Sequence, residues 1–204
     1  MRISNKMYRH VFKPLIDFLV ALFLLPFVLL VIAFIGPIIW FTDHGPIFYN
    51  APRKGFKCRQ FKMFKLRSMY VNAPDLRNPD GSTYNADNDP RVTPIGRLLR
   101  KTSLDELPQL LNVLIGDMSL VGPRPTLSRQ VKDYEQLEGD LKHRYDVKPG
   151  ITGYAQAYFR NGIPQNQKFH WDAFYARHVS LTLDAKILFK TLTSVIREKN
   201  INNV

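Results

Sequence analysis

The hydrophobic pattern changes period several times along this 204-residue chain. Phe18 to Ile35 (FLVALFLLPFVLLVIAFI) is apolar and uncharged, and Gly36-Pro37-Ile38-Ile39-Trp40-Phe41 prolongs it. Such a run meets the length rule for a helix that enters a bilayer, and Trp40 and Phe41 suit an interface. No small-x-small cleavage site follows it, which argues against a signal peptide. Residues 47–70 then alternate cationic and apolar positions, with Phe61, Phe64 and Leu66 among Lys62, Lys65 and Arg67. This predicts a short hairpin or a basic interfacial ribbon. Residues 72–90, rich in Asn, Asp, Pro and Gly, read as a loop.

Helical signals follow. Thr93-Pro94 is a cap followed by an N1 proline, and the spacing puts Arg97, Arg100 and Lys101 on one face. Leu107 to Ile115 predicts a helix stopped by Gly116. Gly122-Pro123-Arg124-Pro125 is a stiff loop, residues 126–145 read as a polar helix, and Lys148-Pro149-Gly150-Ile151-Thr152-Gly153 is a turn leading to Gln156. A last helix over 181–197 carries Leu181, Ala185, Leu188, Leu192 and Val195 on one face, with Lys186, Lys190 and Arg197 opposite. That face packs on a core or lies on lipid. The fold class expected is α-rich α+β: an N-terminal membrane element over 1–44, then a cytoplasmic domain over 45–204 with interfacial helices and a small β element.

Charge sharpens the topology. Arg2, Lys6, Arg9 and Lys13 precede the apolar run, and Arg53, Lys54, Lys57, Arg59, Lys62, Lys65 and Arg67 follow it. The positive-inside rule draws both ends to the cytoplasm, which a straight span cannot satisfy. A re-entrant hairpin can. Pro26 lies near the middle, where it cannot donate to the Leu22 carbonyl, and a break is expected there. Each arm of about 12 residues reaches about 18 Å, roughly half a bilayer. The alternative is an ordinary span with a proline kink.

The net charge of +12 demands an anionic partner. Nucleic acid is disfavoured, because the basic ribbon abuts the membrane segment and no recognised module is present. The lone Cys58 excludes a disulfide framework; Lys57 and Arg59 beside it favour its thiolate, although an inert thiol is the simpler reading. The five histidines lack metal-ligand spacing, and no phosphate-binding glycine motif occurs.

Asp105-Glu106 is the candidate for chemistry. Ser103 and Glu106 have capping-box spacing, and taken alone that structural reading is the stronger one. Pro108 complicates it by making Leu107 an alternative cap. In either register two carboxylates open a helix beside Arg100 and Lys101, a setting expected to keep them ionised and to attract phosphate. An ionised Asp can attack phosphorus, and a neighbouring Glu can hold Mg²⁺ with substrate phosphates. Lys65 and Arg67 serve phosphate or anionic lipid equally well. Arg124, fixed between two prolines, is a bidentate donor suited to pyrophosphate or one half of a structural ion pair.

Taken together, the segments resemble the bacterial sugar transferases known as monotopic phosphoglycosyl transferases. The resemblance is carried by Gly45-Pro46-Ile47-Phe48-Tyr49, by Phe64-Lys65-Leu66-Arg67-Ser68-Met69, by Asp89 to Gly96, by residues 98–125 and by Lys148 to Gln156. Arg160-Asn161, Asp172-Ala173-Phe174-Tyr175 and Ser180 to Asp184 complete it, so that it covers about residues 8–197. It implies transfer of a phospho-sugar from a UDP-sugar to polyprenyl (undecaprenyl) phosphate, with UMP released and Mg²⁺ used. This would be the first membrane step of a surface-glycan pathway. Asp105 would be the covalent nucleophile and Glu106 the metal ligand. Lys65, Arg67, Arg100, Arg124, Gln156, Arg160 and Asp172 would bind substrate. The resemblance also implies a re-entrant helix broken at Pro26 that enters one leaflet of the inner membrane from its cytoplasmic face, in contact with membrane lipid. Two departures stand in the ribbon, Ala51 for a common Gln and Cys58 for a common Gly. Leu25 stands where some members place a small polar residue. A lipid-binding module and a membrane phosphatase are the competing functions. The sugar and the oligomeric state, a homodimer included, are left open.

Overall fold

A computed structural model describes residues 5–76, 84, 86, 88–128, 133–160 and 162–196. The chain opens with helical turns, Asn5–Met7 and Tyr8–Phe12, that lead into a long helix, α1 (Lys13–Asp43). Ala21, Val28, Gly36 and Ile39 are buried on its inner face, spaced by seven, eight and three residues as one helical stripe demands. Phe23, Phe27, Phe34 and Phe41 stay exposed on the outside. The helix ends at His44, whose left-handed backbone (φ 53°) donates to the Trp40 carbonyl at 2.7 Å. Pro26 does not interrupt the helical assignment; it and Pro37 both lie inside α1. The sequence predicted a break at Pro26, but proline can forfeit one hydrogen bond without ending a helix whose face is held elsewhere.

That face is held along its length. Ala21 and Val28 pack with Met63, Leu110, Val113 and Met118, while Ile39 packs with Leu66 and Leu99. Polar pins flank these contacts. Lys13 Nζ and Tyr8 Oη each lie 2.7 Å from Asp184 Oδ2, and Ser119 Oγ donates to Asp17 at 2.6 Å. At the other end Arg67 grips Asp43 with two bonds of 2.6 Å.

The ribbon forms the expected hairpin, β1 (Ala51–Lys54) and β2 (Gln60–Met63), paired antiparallel from Ala51–Met63 to Lys54–Gln60. Its turn puts Lys57 and Cys58 in the left-handed region (φ 50° and 56°). The Cys58 position is one where glycine would be unstrained. Cys58 is buried, and burial raises its thiol rather than favouring the thiolate.

Thr93 caps α2 (Pro94–Thr102) as expected, its Oγ1 accepting from Gly96 N at 2.9 Å. Ser103 then corrects the capping-box reading. It adopts φ 59°, ends α2, and makes no side-chain cap. Leu104–Glu106 is a single 3₁₀ turn, and α3 (Gln109–Leu114) begins after Pro108. Gly116, at φ 89°, follows its end. Strand β3 (Ser119–Val121) leads to β4 (Thr126–Leu127), which pairs with the free edge of β1.

The polar helix expected over 126–145 is not formed by the described part of that range. It comprises β4, a 3₁₀ turn Tyr134–Gln136, a short helix α4 (Gly139–His143) and another 3₁₀ turn starting at Arg144, while residues 129–132 lie outside the described residues. Glycine and prolines at the start of this region and the pull of the β1 edge override a polar helical pattern. Strand β5 (Gly150–Thr152) pairs parallel with β3. Three helices complete the fold: α5 (Tyr154–Tyr158), α6 (Gln165–Arg177) and α7 (Leu181–Ile196). On α7 it is Asp184 and Ile187 that are buried, whereas Leu181, Ala185, Leu188 and Leu192 are exposed. Of that expected face the core-packed option therefore fails; the Val195 side chain and Arg197 lie outside the described residues.

Candidate active site

The nucleophile candidate is placed by backbone. Because Ser103 turns left-handed, the chain leaves α2 and folds the Leu104–Glu106 turn under the segment that follows β2. Leu66 N donates to the Asp105 carbonyl at 2.9 Å, which sets Lys65 beside both carboxylates. Lys65 Nζ lies 2.8 Å from Asp105 Oδ2 and 3.4 Å from Glu106 Oε1. A second clamp holds this strand end. Asn112, fully buried on α3, accepts from Phe64 N at 2.9 Å and donates to the Lys62 carbonyl at 2.8 Å. No motif marked Asn112 in the sequence.

Arg124 closes the other side, with Nη2 3.0 Å from Glu106 Oε1. Its loop is aimed by contact between two glycine-bearing segments. Gly122 N donates to the Thr152 carbonyl at 2.8 Å and Gly150 N to the Pro123 carbonyl at 2.9 Å. A Cβ on Gly150 would lie 2.0 Å from Gly122 N, so the two motifs require glycine where they cross. From behind, Arg144 donates to the Arg124 carbonyl at 2.8 Å and to Asp172 Oδ2 at 2.8 Å. Its remaining donors reach Thr126 Oγ1 and the Tyr145 hydroxyl, and its guanidinium stacks 4.7 Å from the Phe169 ring. Arg144 is thus a support that sequence reasoning missed; its position in the 126–145 segment gave no local sign of chemistry.

The carboxylates differ. Asp105 is 2% exposed, and that burial, reinforced by Glu106 and only partly countered by Lys65, raises its carboxyl above the ordinary range. Sequence reasoning expected both acids to be held ionised. For Glu106, burial opposes charge as well, but Arg124 and Lys65 outweigh it and hold the carboxyl down at about 2. Glu106 is thus held charged and Asp105 less firmly so, because the lysine shared between them does not outweigh the desolvation of the deeper acid.

The predicted substrate residues divide by position. Lys65, Arg100, Arg124, Gln156, Arg160 and Asp172 line one cavity of about 2310 Å³ with Asp105 and Glu106. Arg100 Nε donates to Ser68 Oγ at 3.0 Å along its wall. Arg67 lines the same cavity, but its donors are taken by Asp43 and by the carbonyls of Ile39, Pro46 and Met69. It holds the end of α1 to the strand that carries Lys65. Asp172, 4% exposed, is committed to Arg144. Asn161 lies outside the described residues, and Pro26 sits on α1 away from the lining.

Among the described residues no group of three or more His, Cys, Asp or Glu side chains gathers as for a fully protein-held metal. Asp105 and Glu106 instead offer one or two carboxylates, the donor set with which Mg²⁺ is held when substrate phosphates complete its shell. Both cations at Glu106 address Oε1. The donors fit a magnesium ion accompanied by phosphate.

The site is a cavity lined by several cations around paired acids, and Leu24 of the long apolar helix α1 also lines it. The chain belongs to the bacterial sugar transferase family, whose pattern it matches over residues 8–198. It is 39% identical to the uncharacterized sugar transferase EpsL of Bacillus subtilis, over 94% of this chain and 90% of that one. It is 37% identical to the UDP-galactose-lipid carrier transferase of Erwinia amylovora, over 97% of this chain and 43% of that protein. With the UDP-glucose:undecaprenyl-phosphate glucose-1-phosphate transferase of Escherichia coli it shares 40% identity, over 74% of this chain and 33% of that one. The chain therefore spans less than half the length of these two relatives with a named reaction.

Proposed function

We propose that the protein transfers a sugar-1-phosphate from a UDP-sugar to a polyprenyl phosphate, undecaprenyl phosphate in the relatives, at the cytoplasmic face of the bacterial inner membrane. The observation that carries this reading is Lys65 placed against both Asp105 and Glu106, with Arg124 on Glu106, on the wall of a cavity that also reaches Leu24 of α1. Cations outnumber acids there, so a pyrophosphate is attracted to the two carboxylates rather than repelled.

In the first step an Asp105 carboxylate oxygen attacks the β-phosphorus. The bond between that phosphorus and the bridging oxygen breaks, and UMP leaves with the electron pair. In the second step an oxygen of the polyprenyl phosphate attacks the same phosphorus, and the Asp105 carboxylate is regenerated. Lys65 orients Asp105 and favours its charged form against burial. Arg124 and Arg100 bind phosphate oxygens, and Arg144 keeps the Arg124 loop in register. Glu106 would hold Mg²⁺ together with the substrate phosphates, and the ion, when bound, would neutralise the charge that grows on the phosphoryl oxygens.

The pins on α1 support a placement with both of its ends on one side of the membrane. Lys13 and Asp43, near opposite ends of a 31-residue helix, bind Asp184 and Arg67 of one domain. That length is about 46 Å. A helix covered along one face by a hydrophilic domain cannot cross the bilayer core without carrying that domain with it. The outer phenylalanines then enter one leaflet.

The test incubates the protein with undecaprenyl phosphate, Mg²⁺ and a panel of UDP-sugars, following UMP and lipid product. UMP release with lipid-linked product from one sugar is expected. UMP release with free sugar phosphate would point to hydrolysis, and an Asp105→Asn enzyme with full transfer would sink the covalent step.

A further inference from the structure

Asp184 is a buried acid that the reaction above does not use. It stands in the first turn of α7, and three side chains from distant parts of the chain reach its carboxylate. Tyr8 Oη and Lys13 Nζ each lie 2.7 Å from Oδ2, and Tyr175 Oη, on α6, lies 2.7 Å from Oδ1. All four residues are buried.

The Tyr175 hydroxyl also lies 2.9 Å from the Val121 carbonyl. Val121 ends β3, and Gly122-Pro123-Arg124 follows it directly. The same carbonyl lies 3.0 Å from Ser119 Oγ, whose other neighbour is Asp17 of α1 at 2.6 Å. Two hydroxyls therefore stand between one carbonyl and two carboxylates. A hydroxyl carries a single proton, so each divides it between the carbonyl and an acid. Moving either acid changes the share left for Val121. Among the described residues β3 has β5 as its single sheet neighbour, so no second strand fixes it independently of these hydroxyls.

Both acids belong to the frame of the apolar helix. Asp17 sits on α1 itself, and Asp184 is where Lys13 and Tyr8 fasten its start. Lys13 Nζ also lies 3.8 Å from Asp17, so one buried cation answers two acids. Contacts thus run from the start of α1 through Asp184 and Tyr175 to a carbonyl three residues before Arg124. The crossing of Gly122 with Gly150 and the bond from Arg144 hold the Arg124 loop from other directions. Neither Tyr175 nor Asp184 lines the cavity.

We propose that Tyr175 and Asp184 are positioning residues for Arg124. They tie the Val121 carbonyl to the start of α1, so that the seating of the apolar helix sets the aim of the arginine that receives the donor's phosphates. The proposal rests on the transferase reading for what Arg124 binds. Aim matters at this scale, since a misplacement of about 1 Å in a positioning group costs about 10²-fold in rate.

Tyr175→Phe keeps the buried ring and removes only the shared proton. Hydrogen exchange is followed on the full-length protein in lipid nanodiscs, a readout that needs no turnover. Peptides spanning Ser119 to Arg124 should exchange at least fivefold faster in Tyr175→Phe, with the β1–β2 hairpin unchanged. Unaltered exchange over that segment, or a rise spread over the whole chain, overturns the proposal. Kinetics gives the second measurement. Tyr175→Phe should lower kcat/KM for the UDP-sugar about tenfold alone and less than twofold in an Arg124→Met background, because the aim of an absent arginine cannot be lost. Equal losses in the two backgrounds would make Tyr175 a general support of the fold and overturn its role. Tyr8→Phe tests the α1 end of the tie and should give the same non-additive pattern at about threefold; an additive loss would detach α1 from Arg124. The tyrosines are chosen because Asp184→Ala would strand Lys13 in the interior. Absence of UMP release by the wild type with every UDP-sugar would sink the transferase reading, while the exchange pattern would still decide whether the tie exists.

Discussion

Two arginine–carboxylate pairs stand back to back in this protein, and they do opposite work. Arg124 and Glu106 meet at 3.0 Å on the cavity wall, with the arginine side chain half exposed. Arg144 and Asp172 meet at 2.8 Å, where both side chains are almost fully buried. The distances are alike. The difference lies in what each guanidinium has left to give. Every side of Arg144 is occupied by protein, including the carbonyl of Arg124 itself, so it supports the loop and binds nothing else. Arg124 is aimed by that support and keeps donors for a phosphate. An ion pair is thus read by the groups it leaves unsatisfied more than by its length.

The largest effect that separates chemistry from framework belongs to the residue the open pair serves. Asp105→Asn should lower transfer by about 10³-fold or more, because the attacking charge is gone. Its stability should respond in the opposite sense. Burial raises the Asp105 carboxyl in the folded state. A raised value means that the stability due to this group is fullest below the unfolded value of about 3.9 and is lost as pH rises through the folded one. The Tm of Asp105→Asn relative to wild type should therefore increase between about pH 4 and 7, followed by thermal scans across that range.

Breaking the buried pair comes next. Arg144→Met leaves the Asp172 charge alone in the interior and should cost about 3–5 kcal/mol of unfolding free energy in denaturant titrations. Adding Asp172→Leu should recover most of that loss, since both ends of the pair then become apolar.

The open pair should behave in the reverse way. Arg124→Met should change stability by no more than about 1 kcal/mol, yet lower kcat/KM by about 10²–10³-fold. It should also move the acid limb of the pH profile upward. Arg124, with Lys65, holds Glu106 at about 2 against burial, and removing Arg124 lets the carboxyl climb. A profile measured down to about pH 4 should then lose activity at a higher pH than wild type does.

The smallest effect tests a region away from both pairs. Cys58→Gly removes left-handed strain of about 1–2 kcal/mol but also a buried side chain, so the net change in Tm should be small. A loss above about 2 kcal/mol would show that the thiol packing dominates.

The legibility of this protein in its sequence follows the reach of each interaction. The Thr93-Pro94 cap, the hairpin and α7 were readable because their signals lie within a few residues. The capping box failed because its outcome depends on Ser103 adopting φ 59° at the close of the preceding helix. The polar helix over 126–145 failed because β4 joins a strand far away in the chain. Asp105, Glu106, Lys65, Arg100 and Arg124 were singled out as candidates, and they line one cavity. Arg67 and Asp172 were also singled out, yet they are spent inside the framework. Asn112 and Arg144 carried no local mark at all.

What the sequence determined by itself is the presence of parts: an apolar helix with cations at both flanks, a basic ribbon, paired acids and two proline–glycine motifs. These follow from periodicity, propensity and adjacency, which are properties of neighbouring residues. Tertiary structure decided which cations keep free donors, and which acid is pushed up and which is held down. Those outcomes depend on burial and on partners far apart in the chain, such as Lys65 with Asp105 or Lys13 with Asp184. Desolvation is a property of the packed molecule, and no local pattern carries it.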